Sequence, residues 1–140
     1  MQRPGAETLL EKHYTMANFT HDQINTVWEK AKKIEGQKPD KYRQDSAGAW
    51  IQRDRYGKEE SLGWEVDHMF PESLGGNEII SNLQAFQWEN NRTKADNFPD
   101  YSTSVSSDGV KYLKKDQNWK FTDAFISKLK QLYPDNKKLK

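Results

Sequence analysis

Asp67-His68 is the pair of adjacent side chains in this sequence best suited to chemistry on water. A histidine has an unperturbed pKa of about 6.5, so at pH 7 it is mostly neutral and still basic, and can take a proton from water. An aspartate offers a hard oxygen suited to a divalent cation such as Mg²⁺. One carboxylate is a poor metal site, and the segment 87–96, QWENNRTKAD, can supply a second ligand. If it is helical, Gln87 and Asn91 share a face four residues apart, and Asn91 and Lys94 are neighbours three apart. The amide oxygen of Asn91 can then meet Asp67 at a metal while Lys94 points toward a bound anion. Asn82 lies between them in sequence, and its amide can bridge backbone groups of the intervening loop. Taken singly, each of these residues has a plain alternative: a satisfied structural histidine, a helix cap or a solvated surface. Only the ordered set points to chemistry.

The elements that must position these groups follow from periodicity. LGWEV reads as a strand running into Asp67-His68, FPESLGGNE as a turn-rich loop, NLQAF as a second strand starting at Asn82, and QWENNRTKAD as a helix ending near Asn97. In a strand neighbouring side chains face opposite ways, but a strand end can twist, so Asp67 and His68 can still border one cleft.

Around this unit, Thr20 and Gln23 have capping-box spacing ahead of Ile24, Val27, Trp28, Ala31 and Ile34, and Gly36 follows as a stop. The expectation is an amphipathic helix over 21–35. AWIQRDRYG is a short helix or a strand with Trp50 and Ile51 inward, and TSVSSDGVKYL a hairpin turning at Asp108-Gly109. The last helix runs from the Thr122 cap through Phe125, Ile126, Leu129 and Leu132 to a stop at Pro134. The fold class is therefore α+β, with a hairpin-plus-helix core at about 62–97 supported by an N-terminal helix, a C-terminal hairpin and a C-terminal helix. Residues 1–15 show no periodicity and are expected to be a disordered extension of a single domain over 16–140.

The bulk numbers set bounds. A chain of 140 residues suits one domain and buries roughly 70% of its unfolded surface. There is no cysteine, which excludes disulfides and thiolate metal sites. No apolar run approaches the ~20 residues of a membrane span, so a soluble, cytoplasmic protein is expected. The net charge is +1, but residues 108–140 carry nine lysines and four aspartates, and the remaining 107 residues carry 13 basic and 17 acidic side chains. A basic C-terminal third suits a polyanion, although a solvated lysine-rich surface accounts for it equally simply. The five tryptophans are read as packing residues rather than base-stacking ones, and His13 and His21 receive no role.

Taken together, EVDHMFPESLGGNEIISNLQAFQWENNRTK resembles the HNH, or ββα-metal, nuclease motif. That pattern has a strand ending in Asp-His or His-His, a Pro- and Gly-containing loop, a central Asn ahead of an apolar strand, and a helical His or Asn three residues before a Lys. The positions fall here on Asp67-His68, Asn82, Asn91 and Lys94, and the match covers about 35 residues. GAWIQRDRYG upstream and NFP downstream also look like flanks of a cysteine-free phage and bacterial branch. The resemblance implies metal-dependent hydrolysis of DNA, double-stranded by expectation, leaving a 5′-phosphate and a 3′-hydroxyl. Asp67 and Asn91 would hold one metal ion, His68 would be the general base, and Asn82 would hold the loop and the imidazole in place. Asn91, where other members have His, favours Mg²⁺ or Mn²⁺ over Zn²⁺. Lys94, Arg92 and Arg53 would be nucleic-acid contacts and Gln87 a supporting residue behind the ligands. Many relatives carry a zinc held by two Cys-x-x-Cys pairs, the second of which would fall on Gln87 and Asn90. Without cysteine, no structural zinc is expected and packing alone should hold the unit. Two other functions stay open: a nucleic-acid-binding module with an idle site, and a toxin-type nuclease with an inhibitor partner.

Overall fold

The computed structural model describes residues 19–139, so the expectation for the first 15 residues lies outside the described residues. The chain forms helix α1 (His21–Lys30), strands β1 (Lys32–Lys33), β2 (Tyr42–Gln44), β3 (Trp50–Gln52), β4 (Trp64–His68) and β5 (Leu83–Gln87), helix α2 (Trp88–Lys94), strands β6 (Asp100–Asp108) and β7 (Lys111–Lys120), and helix α3 (Asp123–Leu132). It is an α+β protein with three antiparallel sheets, β1-β2-β3, β4-β5 and β6-β7. Among the described residues no helix is long and apolar enough to cross a membrane.

Helix α1 starts as its sequence predicts. The Thr20 hydroxyl accepts from Gln23 N, and the Gln23 side chain accepts from Thr20 N. It ends five residues earlier than the 21–35 expectation. Ala31 is extended, and Lys32 and Lys33 pair with Gln44 and Arg43. The cause is tertiary: the Arg43 guanidinium reaches across from β2 and donates to the carbonyls of Glu29 (3.0 Å) and Ala31 (3.1 Å). Those carbonyls would otherwise stay unpaired at a helix end. The segment expected as helix or strand splits, with β3 over Trp50–Gln52 and a 3-10 turn over Arg53–Arg55. The C-terminal hairpin turns at Asp108-Gly109 as expected but is longer, with Asp100 paired to Lys120.

The β4–β5 hairpin is the centre of the molecule. Val66, Leu83 and Ala85 pack against Ile24, Val27 and Trp28 of α1, with Trp28 and Trp64 rings 5.2 Å apart. Phe86 joins Ala47 and Tyr101 in a second cluster. A third cluster, Phe70, Leu129 and Leu139, fixes α3 against the loop after β4. Each fully buried large apolar side chain of this kind contributes about 1.5–3 kcal/mol.

Candidate active site

Strands β4 and β5 pair antiparallel, with Asp67 opposite Gln84 and His68 opposite Leu83, and α2 follows β5 directly. This is the strand-loop-strand-helix order read from sequence.

The loop between the strands is folded around one amide. Asn82 is fully buried and closes the 3-10 turn Ile80–Asn82 just ahead of β5, instead of opening the strand. Its Oδ1 accepts from Phe70 N (2.8 Å), and its Nδ2 donates to the carbonyls of Phe70 (3.0 Å) and Asn77 (3.1 Å). The two ends of the loop are thereby clamped together. Gly76 permits the closure, because a Cβ there would lie 1.8 Å from the Phe70 carbonyl oxygen. Gly75 sits at φ +113°, the left-handed region that favours glycine. Outside, Tyr133 donates its hydroxyl to Asn77 Oδ1 (2.7 Å), and Asn136 Nδ2 donates to the Leu74 carbonyl (2.8 Å).

Contrary to the expectation of one shared cleft, the end of β4 does not twist enough to bring Asp67 and His68 together: they leave the strand on opposite faces, as strand alternation dictates. Asp67 is buried on the α2 side. Gln84 Nε2 donates to its Oδ2 (2.9 Å), and Lys94 Nζ lies 3.3 Å from its Oδ1 and 3.1 Å from the His68 carbonyl oxygen. Asn91, one turn earlier on α2, donates its Nδ2 to Glu65 Oε1 (2.9 Å). Helix α2 thus lays Asn91 and Lys94 over Glu65 and Asp67. Glu65 was missed in the sequence, although its period-2 relation to Asp67 signalled a shared face. Burial raises the pKa of Asp67 against the pull of the Lys94 charge, and raises that of Glu65 against Asn91 and Arg92.

His68 lies beside the ring of Phe19, with centroids 5.9 Å apart. Its side chain is 10% exposed. Nε2 is buried and has no hydrogen-bond partner. Glu72 and Glu78, both on the loop, each bring an Oε2 to 3.9 Å from that nitrogen. Sequence reading passed over both glutamates, because only the folded loop makes them neighbours.

Several expectations need correction. Lys94 is fully buried, with its ammonium 5.8 Å from the Tyr101 ring centroid and 6.0 Å from that of Phe121, so it is the counter-ion of Asp67 and not a surface contact for phosphate. Gln87 supports the site only through the helix: it caps α2, accepting from Asn90 N (2.8 Å) and donating to the Tyr112 hydroxyl (2.8 Å). Arg92 binds Glu65 (2.8 Å) and Glu59 (3.0 Å), and Arg53 binds Asn25 and lies over Trp64, so both guanidinium groups are held by protein partners.

Packing alone does not hold the unit either. Asp45 is buried in the β2–β3 connection. Its Oδ1 accepts from Ala47 N and Ala49 N (both 2.9 Å), and its Oδ2 from Gln87 N (3.0 Å) and Asn90 Nδ2 (3.1 Å). Asn90 carries the link to β6, with its Oδ1 accepting from Ser104 N and Val105 N (both 2.9 Å). Gln87 and Asn90, where the motif's relatives carry a cysteine pair, are thus knotted to a carboxylate.

Burial pushes the Asp45 carboxyl up to about 6. With Asp45, Glu65 and Asp67 all raised, the folded chain holds protons more tightly than the unfolded chain. All three therefore lose stability as pH rises, Asp45 between the ordinary carboxylate range near 4 and about 6. Asp45 alone accounts for on the order of 2–3 kcal/mol of that slope. In urea unfolding with EDTA, the wild type should lose more stability between pH 4.5 and pH 6.5 than Asp45→Ala does. Parallel pH profiles of the two proteins would refute this.

No family model, curated protein or solved structure matches the chain.

Proposed function

We propose that the chain is a metal-dependent endonuclease of the HNH type that hydrolyses DNA phosphodiester bonds in the cytoplasm. The observation that carries this reading is the clamp of Asn82 on both ends of the loop that follows His68, within a hairpin whose other face meets Asn91 and Lys94 of α2.

His68 is the general base. Its Nε2 has no hydrogen-bond partner but is buried beside Glu72 and Glu78, so those exposed side chains must move aside before it can take a proton from water. The water gives a proton to His68 as its oxygen bonds to phosphorus, the bond to the 3′ oxygen breaks, and that oxygen takes a proton from solvent to leave as a 3′-hydroxyl, with a 5′-phosphate on the other product. Asn82 keeps the backbone on which the imidazole depends in one conformation.

The Asp67 face suits a cation. The buried carboxylate already faces a positive charge, the Lys94 ammonium, which stands in for one. Asp67 and Asn91 are the residues the resemblance assigns to a hard divalent ion; here Asn91 gives its amide to Glu65 and buried Lys94 fills the place beside Asp67, so both would have to rearrange to admit the ion. An ion there would serve the phosphate attacked through His68 only if the end of β4 twisted to bring its two faces to one cleft; so placed, it would supply charge neutralisation at the phosphate and the leaving oxygen. The grip on DNA comes from elsewhere than Lys94, Arg92 and Arg53. Helix α3 packs on the catalytic loop and carries exposed Lys130, and β7 presents exposed Lys111, Lys114 and Lys115. Contacts of this kind are salt-dependent and independent of sequence.

Supercoiled plasmid incubated with the protein and Mg²⁺ should be nicked or linearised, and EDTA should stop it. DNA retention without any cleavage in Mg²⁺ or Mn²⁺ would favour the idle binding module.

A further inference from the structure

We propose that His68, Glu72 and Glu78 form a second cation site, selective for a borderline transition ion of the Zn²⁺ class, which removes the catalytic base when it fills. Its inhibitory consequence rests on His68 being the base; the binding itself does not.

One ligand atom from each of the three residues lies within 4.8 Å of the others. The glutamate oxygens at 3.9 Å are too far from Nε2 to accept a hydrogen bond, so the nitrogen is left without a partner. An orphaned buried nitrogen is costly, and a cation between the three atoms would satisfy it. Zinc takes nitrogen at about 2.0–2.1 Å and carboxylate oxygen at about 2.0–2.2 Å, so the ligand atoms need approach by only a few tenths of an ångström. Both glutamates are half-exposed and can make that movement, while the nine-tenths-buried imidazole stays fixed. Two carboxylates balance the charge of the ion. An imidazole ligand favours Zn²⁺ over Mg²⁺, so the two faces of β4 sort the two kinds of ion.

The backbone beneath these ligands is preorganised. Glu72 sits on the 3-10 turn Glu72–Leu74, and Glu78 follows Asn77, whose carbonyl is held by Asn82. A zinc bound here takes the Nε2 lone pair, and no proton can then be accepted from water.

Calorimetric titration of ZnCl₂ into the metal-free full chain is expected to show one site. Affinity should fall at least tenfold in Glu78→Gln and Glu72→Gln, with thermal unfolding of both unchanged, since each side chain is exposed. Co²⁺ absorption should report nitrogen ligation in the wild type, lost in His68→Ala. Absence of zinc binding, or wild-type affinity retained in both glutamine variants, would overturn the site. In the Mg²⁺ plasmid assay, zinc should suppress wild-type nicking. The half-inhibiting concentration should rise at least tenfold in Glu78→Gln, measured against that variant's own zinc-free rate. Nicking that persists at saturating zinc would overturn the inhibitory role. Zinc binding in a chain that never nicks DNA would instead overturn the nuclease reading and leave the site standing.

Discussion

His68→Ala is expected to lower plasmid nicking in Mg²⁺ by about 10²–10⁴-fold, the range that a positioned general base contributes. The loss should appear in turnover and leave DNA retention nearly unchanged, because the substitution leaves the exposed lysines that would hold the duplex in place. The variant should also fold. Lys94 uses the backbone carbonyl of His68, which alanine keeps, and the loop is clamped by Asn82 and not by the imidazole. The main structural loss is the contact with Phe19 at the edge of the α1 cluster. Circular dichroism and gel retention beside the nicking assay separate chemistry from folding. A variant that nicks within tenfold of the wild type would remove His68 from the base role. One that loses DNA retention while still cleaving would make it a binding residue.

Asp45→Ala is expected to cost on the order of 3–5 kcal/mol of folding stability at neutral pH, because several buried hydrogen-bond donors lose their acceptor at once. Four N–H donors, from Ala47, Ala49, Gln87 and Asn90, converge on this carboxylate from two separate segments. Alanine leaves them buried without an acceptor, and each unsatisfied group costs about 1–3 kcal/mol. The damage should spread to the site, because Gln87 caps the helix that carries Asn91 and Lys94. Asn90→Ala should act in the same direction through β6. Urea unfolding measures both effects. An Asp45→Ala protein within 1 kcal/mol of the wild type would mean that the apolar clusters alone hold the hairpin, helix and β6–β7 together.

The hairpin, the helix after it and the first turn of α1 were legible in the sequence because their signals lie within a few residues. Alternation marked β4, and three- and four-residue spacing marked α1 and α3. Thr20 and Gln23 cap α1 across a single turn. The opposite facing of Asp67 and His68 follows from the strand period, and Asn82 bridged the loop as its amide chemistry suggested. The end of α1 was not legible, because Arg43 closes it from a strand that joins later in the chain. Nor was the partnership of Lys94 with Asp67, of Gln87 and Asn90 with Asp45, or of Glu72 and Glu78 with His68. A buried polar group takes as partner whatever donor or acceptor shares its water-free space. That space is set by how elements pack across tens of residues, so local pattern determined the elements and their polar residues, and the tertiary structure alone decided which of those residues meet.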